Sequence, residues 1–259
     1  MEQPQGFIDK SRPEFVCRLH KSLYGLKQAP WAWFQRFSTH LLNIGFQESF
    51  VDHSLFTLQQ AKSKLFVLVY VDDIILTGTN NSEIEDFIKQ LQSTFQVKHL
   101  ETLSYFLGIQ ASLNMEGLHL KQSKYISDLL DKTQMIGARP LFTLIASGPK
   151  LSAHEGELLN YPTEYRQVIG ALQYCILTRP DSSYAVNQLH QFMHAPREPH
   201  WITTKTVLRY LKESIDCGIH YTQSTTTLDA FCDADWAENP DDRKSTSGYI
   251  VFLGQNLIS

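Results

Sequence analysis

Two adjacent carboxylates, Asp72 and Asp73, interrupt an apolar stretch of the sequence. Apolar residues at 65–71 and 74–76 predict two antiparallel strands joined by a tight turn at the acidic pair. Beside so much apolar surface the carboxylates should repel each other and lose hydration, at a cost on the order of several kcal/mol unless a cation compensates. Mg²⁺ held by such oxygens on a rigid turn is typical of phosphoryl transfer. The alternative is an exposed turn, where Asp is common because it forms local hydrogen bonds.

The charge distribution narrows the possible partners. The 259 residues carry 23 Lys and Arg against 27 Asp and Glu, a net charge of −4, which excludes a basic field over the whole molecule. Residues 10–36 are locally basic and contain Tyr24, Trp31, Trp33 and Phe34. Basic and aromatic residues in such a mixture are typical of segments that bind phosphates and stack on bases. A solvated helix face whose aromatic residues belong to the core would have the same composition.

The sequence also indicates where in the cell the chain is located. Its longest apolar run has seven residues, far below the roughly 20 that a membrane span needs. The amino-terminal residues lack the charged and apolar regions of a secretory signal, and the four cysteines are too scattered for a disulfide framework. We therefore expect no membrane span, no secretion and a reducing, intracellular environment.

The elements that must position these residues follow from hydrophobic periodicity. Helical patterns begin at Ala29-Pro30 and at a capping box, Ser82 to Glu85, and strand patterns flank the acidic pair. A second hairpin is predicted over 105–121, with its turn at 114–117. Residues 138–162 have no clear period and predict a linker or long loop. Further helical patterns cover 125–130, ended by Gly137, then 165–176, 183–193 and 199–213, and strand patterns cover 228–232 and 249–253. The fold class expected is α+β.

Six segments of the sequence resemble the reverse transcriptases of copia-type LTR retrotransposons. They are CRLHKSLYGLKQAP (17–30), LVYVDDIILTG (68–78), YFLGI (105–109), YRQVIGALQYCILTRPD (165–181), HWITTKTVLRYLK (200–212) and DADWAENPDDRKSTSGYIVFLG (233–254). The resemblance implies a palm over 1–111, with an antiparallel sheet and flanking helices, and a helical thumb over 112–216. It also implies an incomplete RNase H-like α/β unit over 217–259.

The same resemblance assigns roles to individual residues. Asp72 and Asp73 match the catalytic, metal-binding carboxylates of the palm, where Mg²⁺, or alternatively Mn²⁺, aligns a primer 3′-hydroxyl with a deoxynucleotide. Asp233 matches the first metal-binding carboxylate of RNase H, although a turn aspartate would look the same. Other matches are the nucleotide pocket (Tyr24, Gly25 and Gln28), the primer grip (Phe106, Leu107 and Gly108) and the template-primer groove (Arg166, Gly170 and Tyr174).

The partners implied are an RNA/DNA template-primer duplex, deoxynucleotides and the rest of a Pol polyprotein. The location implied is the cytoplasm, a virus-like particle or the nucleus. Tyr174 has a second interpretation, because its spacing also suits the core of its own helix.

Departures from the family pattern affect the expected activity. The family carries another catalytic aspartate upstream of the segment that resembles residues 1–7, so the chain alone is expected not to extend primers. The alternatives are a nucleic-acid-binding protein without catalysis and a degenerate fragment of a retroelement. Trp31 replaces a family arginine, and Glu101 replaces a glycine, which would strain the turn if it needs a positive φ.

Overall fold

The computed structural model describes residues 1–19, 25–144 and 150–259 of the chain. It divides into two compact units, Met1–Glu101 and Thr102–Ser259. All strand pairs between named strands are antiparallel within the described residues, and helices accompany the sheets, which confirms a mixed α and β fold.

The helices are α1 (Ala29–Asn43), α2 (Asn81–Thr94), α3 (Ser123–Lys132), α4 (Pro162–Cys175), α5 (Ser183–His190) and α6 (Glu198–Glu213). The strands are β1 (Gln47–Glu48), β2 (Leu55–Gln59), β3 (Lys64–Tyr70), β4 (Asp73–Gly78), β5 (Tyr105–Phe106), β6 (Ile109–Asn114), β7 (Gly117–Lys121), β8 (Gly218–Tyr221), β9 (Leu228–Ala234), β10 (Ser247–Leu253) and β11 (Asn256–Leu257).

The first unit is a four-stranded sheet in the order β1-β2-β3-β4, covered on one face by α1 and α2. Side chains alternate along a strand, so β3 buries every second residue. The buried residues form one core with those of the two helices: Phe37, Leu41, Phe46, Phe56, Leu65, Val67, Val69, Phe87, Leu91 and Phe95. The predicted helix at Ala29-Pro30 is confirmed, with the proline in its first turn.

The predicted start of α2 is wrong. The N-cap is Asn80, ahead of the expected capping box, and its side-chain oxygen accepts a hydrogen bond from the Ser82 backbone N–H at 3.1 Å. The Asn80 amide also donates to Glu83 at 3.2 Å. Asn caps a helix as well as Ser does, and the structure uses Asn80, two residues before Ser82.

The second unit contains a sheet in the order β5-β6-β7-β8. The predicted hairpin is confirmed, and Asn114 closes its turn by accepting hydrogen bonds from the Glu116 and Gly117 backbone. β8 pairs with β7 from almost a hundred residues away and was not predicted. Gly218 permits this pairing, since a Cβ there would lie 2.1 Å from the carbonyl oxygen of Leu120.

Helices α3 to α6 form a bundle around a core of its own. Its fully buried members include Ile126, Tyr165, Ile169, Leu172, Cys175, Val186, Leu189, Val207 and Leu211. The predicted helices are confirmed in number and order, but α3 ends at Lys132, before Gly137, and α5 ends at His190.

The described residues of 138–161 form no helix or strand, so the predicted loop is confirmed except at its last residue, Pro162, which begins α4. Contacts fix part of this loop to the start of α6. Arg197 donates hydrogen bonds to the carbonyls of Ala153 and Gly156, each at 2.6 Å. The buried His200 ring accepts from the Arg197 backbone N–H at 2.9 Å and lies 3.1 Å from the Ser152 carbonyl oxygen. Burial lowers the pKa of His200, which favours the neutral ring that these two contacts require.

The remaining strands form a three-stranded sheet in the order β11-β10-β9, and β9 is exposed along its whole length. Asp241, in the β9–β10 connection, accepts hydrogen bonds from Ser152 and Ala153, each at 2.6 Å. No helix in the described ranges combines the length and hydropathy needed to cross a bilayer.

Candidate functional site

The predicted hairpin of β3 and β4 is confirmed, but its turn lies one residue earlier than the predicted Asp72-Asp73, because Asp73 is the first residue of β4. Tyr70 pairs with Asp73, which leaves Val71 and Asp72 as a two-residue turn. Val71 has a φ of 53°, a left-handed conformation that is a genuine outlier for a β-branched residue and costs about 1–3 kcal/mol. Such strain persists only where the surrounding structure imposes it, and it is common at active sites.

The hairpin register determines which face of the sheet carries the acidic pair. Val69 is opposite Ile74, and both belong to the core beneath α1 and α2. Tyr70 and Asp73, one residue further along each strand, therefore lie on the other face. Half-buried Phe66, Leu68 and Ile75 share that face, and neither α1 nor α2, the helices of this unit in the described residues, packs there.

Both carboxylates are exposed, so the expected loss of hydration is wrong. Within the described residues, neither Asp72 nor Asp73 has a hydrogen bond or salt bridge to a side chain, and no group of three or more His, Cys, Asp or Glu is placed to hold a metal. Two adjacent, accessible oxygen donors nevertheless fit Mg²⁺, which commonly binds through one or two carboxylates and takes its other ligands from water and phosphates.

The predicted nucleotide-pocket residues lie near the start of α1. Tyr24 lies outside the described residues. Gly25 has a φ of 89°, and a Cβ there would meet nothing within 4 Å. Gln28 is the N-cap residue of α1 and is exposed. The structure thus places Gly25 and Gln28 together at an accessible helix start.

The aromatics of residues 10–36 divide between the two interpretations of that segment. Trp33 stacks on Phe37 with ring centroids 5.1 Å apart and packs with the core, as does Phe34. Trp31 is 68% exposed, and Lys10, Arg12, Arg18 and Lys27 are exposed as well. In the described part of this segment, these basic side chains and Trp31 are therefore accessible, whereas Trp33 and Phe34 pack with the core.

The predicted primer-grip and groove residues meet within the second unit. Leu107 and Gly108 form the turn between β5 and β6, and the Tyr174 hydroxyl donates a hydrogen bond to the Leu107 carbonyl. Arg166 donates to the carbonyls of Met193 and His194, at 2.8 and 3.0 Å. Arg166 and Tyr174, two of the three predicted groove residues, thus donate hydrogen bonds to backbone carbonyls of neighbouring segments. Their helical spacing did not predict these contacts.

Tyr125 is a residue that sequence reasoning missed. Its ring makes an edge-to-face contact with Tyr174, with ring centroids 5.1 Å apart, and its hydroxyl is 3.4 Å from the Ala171 carbonyl. This contact joins α3 to α4. The local sequence pattern could not reveal it, because that pattern shows only that an aromatic residue lies in the first turn of a helix.

Gly170 is exposed in the middle of α4, and a Cβ there would meet nothing within 4 Å. We expect Gly170→Ala to raise the free energy of unfolding by about 0.5–1 kcal/mol, because Gly in a helix is costly. If a duplex approaches this face closely, the same change should weaken primer-template binding severalfold. Thermal denaturation and fluorescence anisotropy measure the two effects.

Gly137 provides the control for Gly170, because a Cβ there would also meet open space. Gly137→Ala should leave the affinity for primer-template unchanged. Equal affinities for the Gly170→Ala variant and the unchanged chain would argue against close approach at α4.

Glu101 has a φ of 63°, so the turn in which it replaces a family glycine does need the left-handed conformation. A residue with a Cβ is strained there. The strained residue ends the first compact unit.

Comparison with known proteins gives the class of the chain. The family described as reverse transcriptase (RNA-dependent DNA polymerase) matches residues 1–147. Since this match covers more than half of the chain, the chain belongs to the reverse transcriptase family. No solved structure matches it.

Several relatives are Pol polyproteins of copia-type transposons. The whole chain is 51% identical to the retrovirus-related Pol polyprotein from transposon RE2 of Arabidopsis thaliana and spans 18% of that protein. It is 31% identical to the Pol polyprotein from transposon TNT 1-94 of Nicotiana tabacum, of which it spans 20%. An uncharacterized mitochondrial protein of Arabidopsis thaliana is 42% identical over 75% of the chain and 81% of its own length. The chain thus spans about one fifth of the Pol polyproteins that it matches.

Proposed function

We propose that this chain is the palm and thumb of a copia-type reverse transcriptase, with Asp72 and Asp73 as its metal-binding carboxylates. The observation that carries the proposal is the exposed acidic pair at the strained Val71 turn, on the sheet face opposite α1 and α2. An ordinary surface turn has no need of a valine in the left-handed region. The family match makes nucleotidyl transfer the chemistry that such a turn would serve.

Mg²⁺ or Mn²⁺, when bound, would supply charge neutralisation at the reacting phosphate and lower the pKa of the primer hydroxyl. Asp72 and Asp73 would hold it through their carboxylate oxygens. Gly25, with Tyr24 and Gln28, would shape the nucleotide pocket, where the absence of a side chain at Gly25 permits close approach. The hairpin turn at Phe106, Leu107 and Gly108 would hold the primer terminus.

The remaining assignments concern the second unit. The α4 face with Arg166, Gly170 and Tyr174 would follow the minor groove of a template-primer duplex. We propose the division into palm (1–111), thumb (112–216) and RNase H-like start (217–259) on the family resemblance. Asp233, exposed near the end of β9, would be the first RNase H carboxylate. The substrates would be RNA/DNA template-primer and deoxynucleotides.

We also propose that the 259-residue polypeptide, taken alone, does not extend primers, since it offers two of the palm carboxylates on which the two-metal mechanism depends. A second candidate function, nucleic-acid binding without catalysis, is favoured by the exposed basic residues of 10–36. Both candidate functions include nucleic-acid binding, and only the first includes nucleotidyl transfer.

Binding is tested by anisotropy of a labelled RNA/DNA primer-template at rising salt. We expect affinity to fall steeply with salt, because Lys and Arg displace counterions from phosphates. Replacing Lys10, Arg12 and Arg18 together with Gln should lower the salt slope by about 3, or about 1 for each lost phosphate contact.

The matched control replaces Lys89, Lys132 and Lys244 with Gln, three exposed cations on other elements. The salt slope of this variant should stay near that of the unchanged chain. Equal losses in both variants would contradict a role for 10–36. Salt-insensitive binding would contradict phosphate contacts by basic residues, and no detectable binding would contradict nucleic-acid binding altogether.

A further inference from the structure

The β5–β6 turn is held in an unfavourable backbone conformation. Phe106 pairs with Ile109, so Leu107 and Gly108 form a two-residue hairpin turn, and their φ angles are 48° and 80°. A type I′ turn requires positive φ at both positions, for which Asn-Gly is the preferred pair. Gly108 adopts it freely, whereas Leu107 is strained. The turn therefore needs support from outside.

That support comes from α4. The Tyr174 hydroxyl donates a hydrogen bond to the carbonyl of Leu107, the strained residue itself. The Tyr174 ring lies against Gly108, where a Cβ would be 3.4 Å from Cε1, and it packs edge-to-face on Tyr125. The ring is thus fixed on one side by α3 while its hydroxyl reaches the turn.

We infer that Tyr174 is a positioning residue for the Leu107-Gly108 turn, acting through the Leu107 carbonyl. This inference rests on the proposed function, in which the turn holds the primer terminus. The Leu107 side chain is partly exposed at the turn, so fixing its backbone fixes the surface that the turn presents. The Tyr174 hydroxyl would therefore affect a bound template-primer duplex by positioning the Leu107-Gly108 turn.

The first experiment needs no nucleic acid. Tyr174→Phe should speed hydrogen exchange of the backbone amides at 107–109, measured by mass spectrometry on the 259-residue chain. Tyr125→Phe is the matched control, since its hydroxyl faces the Ala171 carbonyl instead of the turn. Unchanged exchange at 107–109 in the Tyr174→Phe variant would overturn the inference even if the chain binds primer-template well.

The second experiment separates positioning from direct contact with the duplex. Tyr174→Phe should weaken primer-template binding about tenfold, the effect of one lost hydrogen bond of ordinary strength. Leu107→Asn creates an Asn-Gly turn that favours type I′ without help. In that background Tyr174→Phe should cost less than about twofold, because the two changes act on the same turn.

An equal loss in both backgrounds would show that the hydroxyl contacts nucleic acid directly and would overturn the inference. If the unchanged chain does not bind primer-template, the proposed function fails, and the exchange experiment still decides whether Tyr174 positions the turn. A thermal denaturation curve for each variant confirms that it folds.

Discussion

Replacing Asp72 with Asn should lower Mg²⁺-dependent primer extension about a thousandfold, or about 4 kcal/mol in the activation free energy. The polypeptide for this test joins the chain to the preceding segment of the RE2 Pol polyprotein, its relative at 51% identity. Asn keeps the size of the side chain but removes the charge that holds a hard cation. Single-nucleotide incorporation on an RNA template measures the rate.

Asp86→Asn is the matched control. Asp86 is an exposed aspartate of α2 in the same compact unit, paired with Lys89 at 3.1 Å. Its replacement should change the rate less than about twofold, since surface pairs contribute little. The 259-residue chain alone should remain at background with either residue at position 72. Robust incorporation by that chain, lost on Asp72→Asn, would contradict its proposed inactivity, whereas full activity of the Asp72→Asn fusion would contradict the site.

Local patterns predicted the two strands that carry the acidic pair because both are strongly apolar and two aspartates interrupt them. They placed the turn one residue too late, because Val71 continues the apolar pattern of β3. They could not predict the exposure of Asp72 and Asp73, which depends on the helices covering only the other face of the sheet. The strained φ of Val71 was equally invisible, since a valine in a strand pattern predicts extended backbone.

Long-range contacts account for most of what the sequence did not reveal. The pairing of β8 with β7 and the hydrogen bond from Tyr174 to Leu107 join residues that are far apart in the chain. Helical spacing could only assign Tyr174 to one face of α4, where groove contact and core packing were both plausible. The structure supplies a third role, because the face of α4 meets a strained turn.

A buried arginine provides a prediction about stability. The Arg179 side chain is 3% exposed, and Asp181 binds it with two hydrogen bonds, at 3.0 and 2.7 Å. The guanidinium also donates to the Ser214 carbonyl and hydroxyl and lies against the Tyr210 ring. These contacts join the turn after α4 to the end of α6.

Asp181→Ala should lower the free energy of unfolding by about 2 kcal/mol at pH 7, because it leaves the buried Arg179 without a counter-charge. Breaking a fully buried pair costs about 3 to 5 kcal/mol, but the Asp181 side chain is 42% exposed and solvent screens part of the interaction. Urea denaturation measures the difference. Asp128→Ala, at an exposed site on α3, is the control and should stay within about 0.5 kcal/mol of the unchanged chain.

The pH dependence distinguishes an ion pair from simple packing at this site. Burial raises the pKa of Asp181, but hydrogen bonds from Arg179 and Tyr210 outweigh it, so that the pKa lies below its ordinary value of 3.8. A carboxyl with a lowered pKa in the folded state stabilises the protein above that ordinary value, and the contribution is lost as the pH falls through the folded pKa. The difference between the Asp181→Ala variant and the unchanged chain should therefore be constant from pH 7 to about 5 and shrink below pH 3.8. A difference that persists undiminished at acid pH would mean that the side chain stabilises the bundle by packing, with its charge contributing nothing.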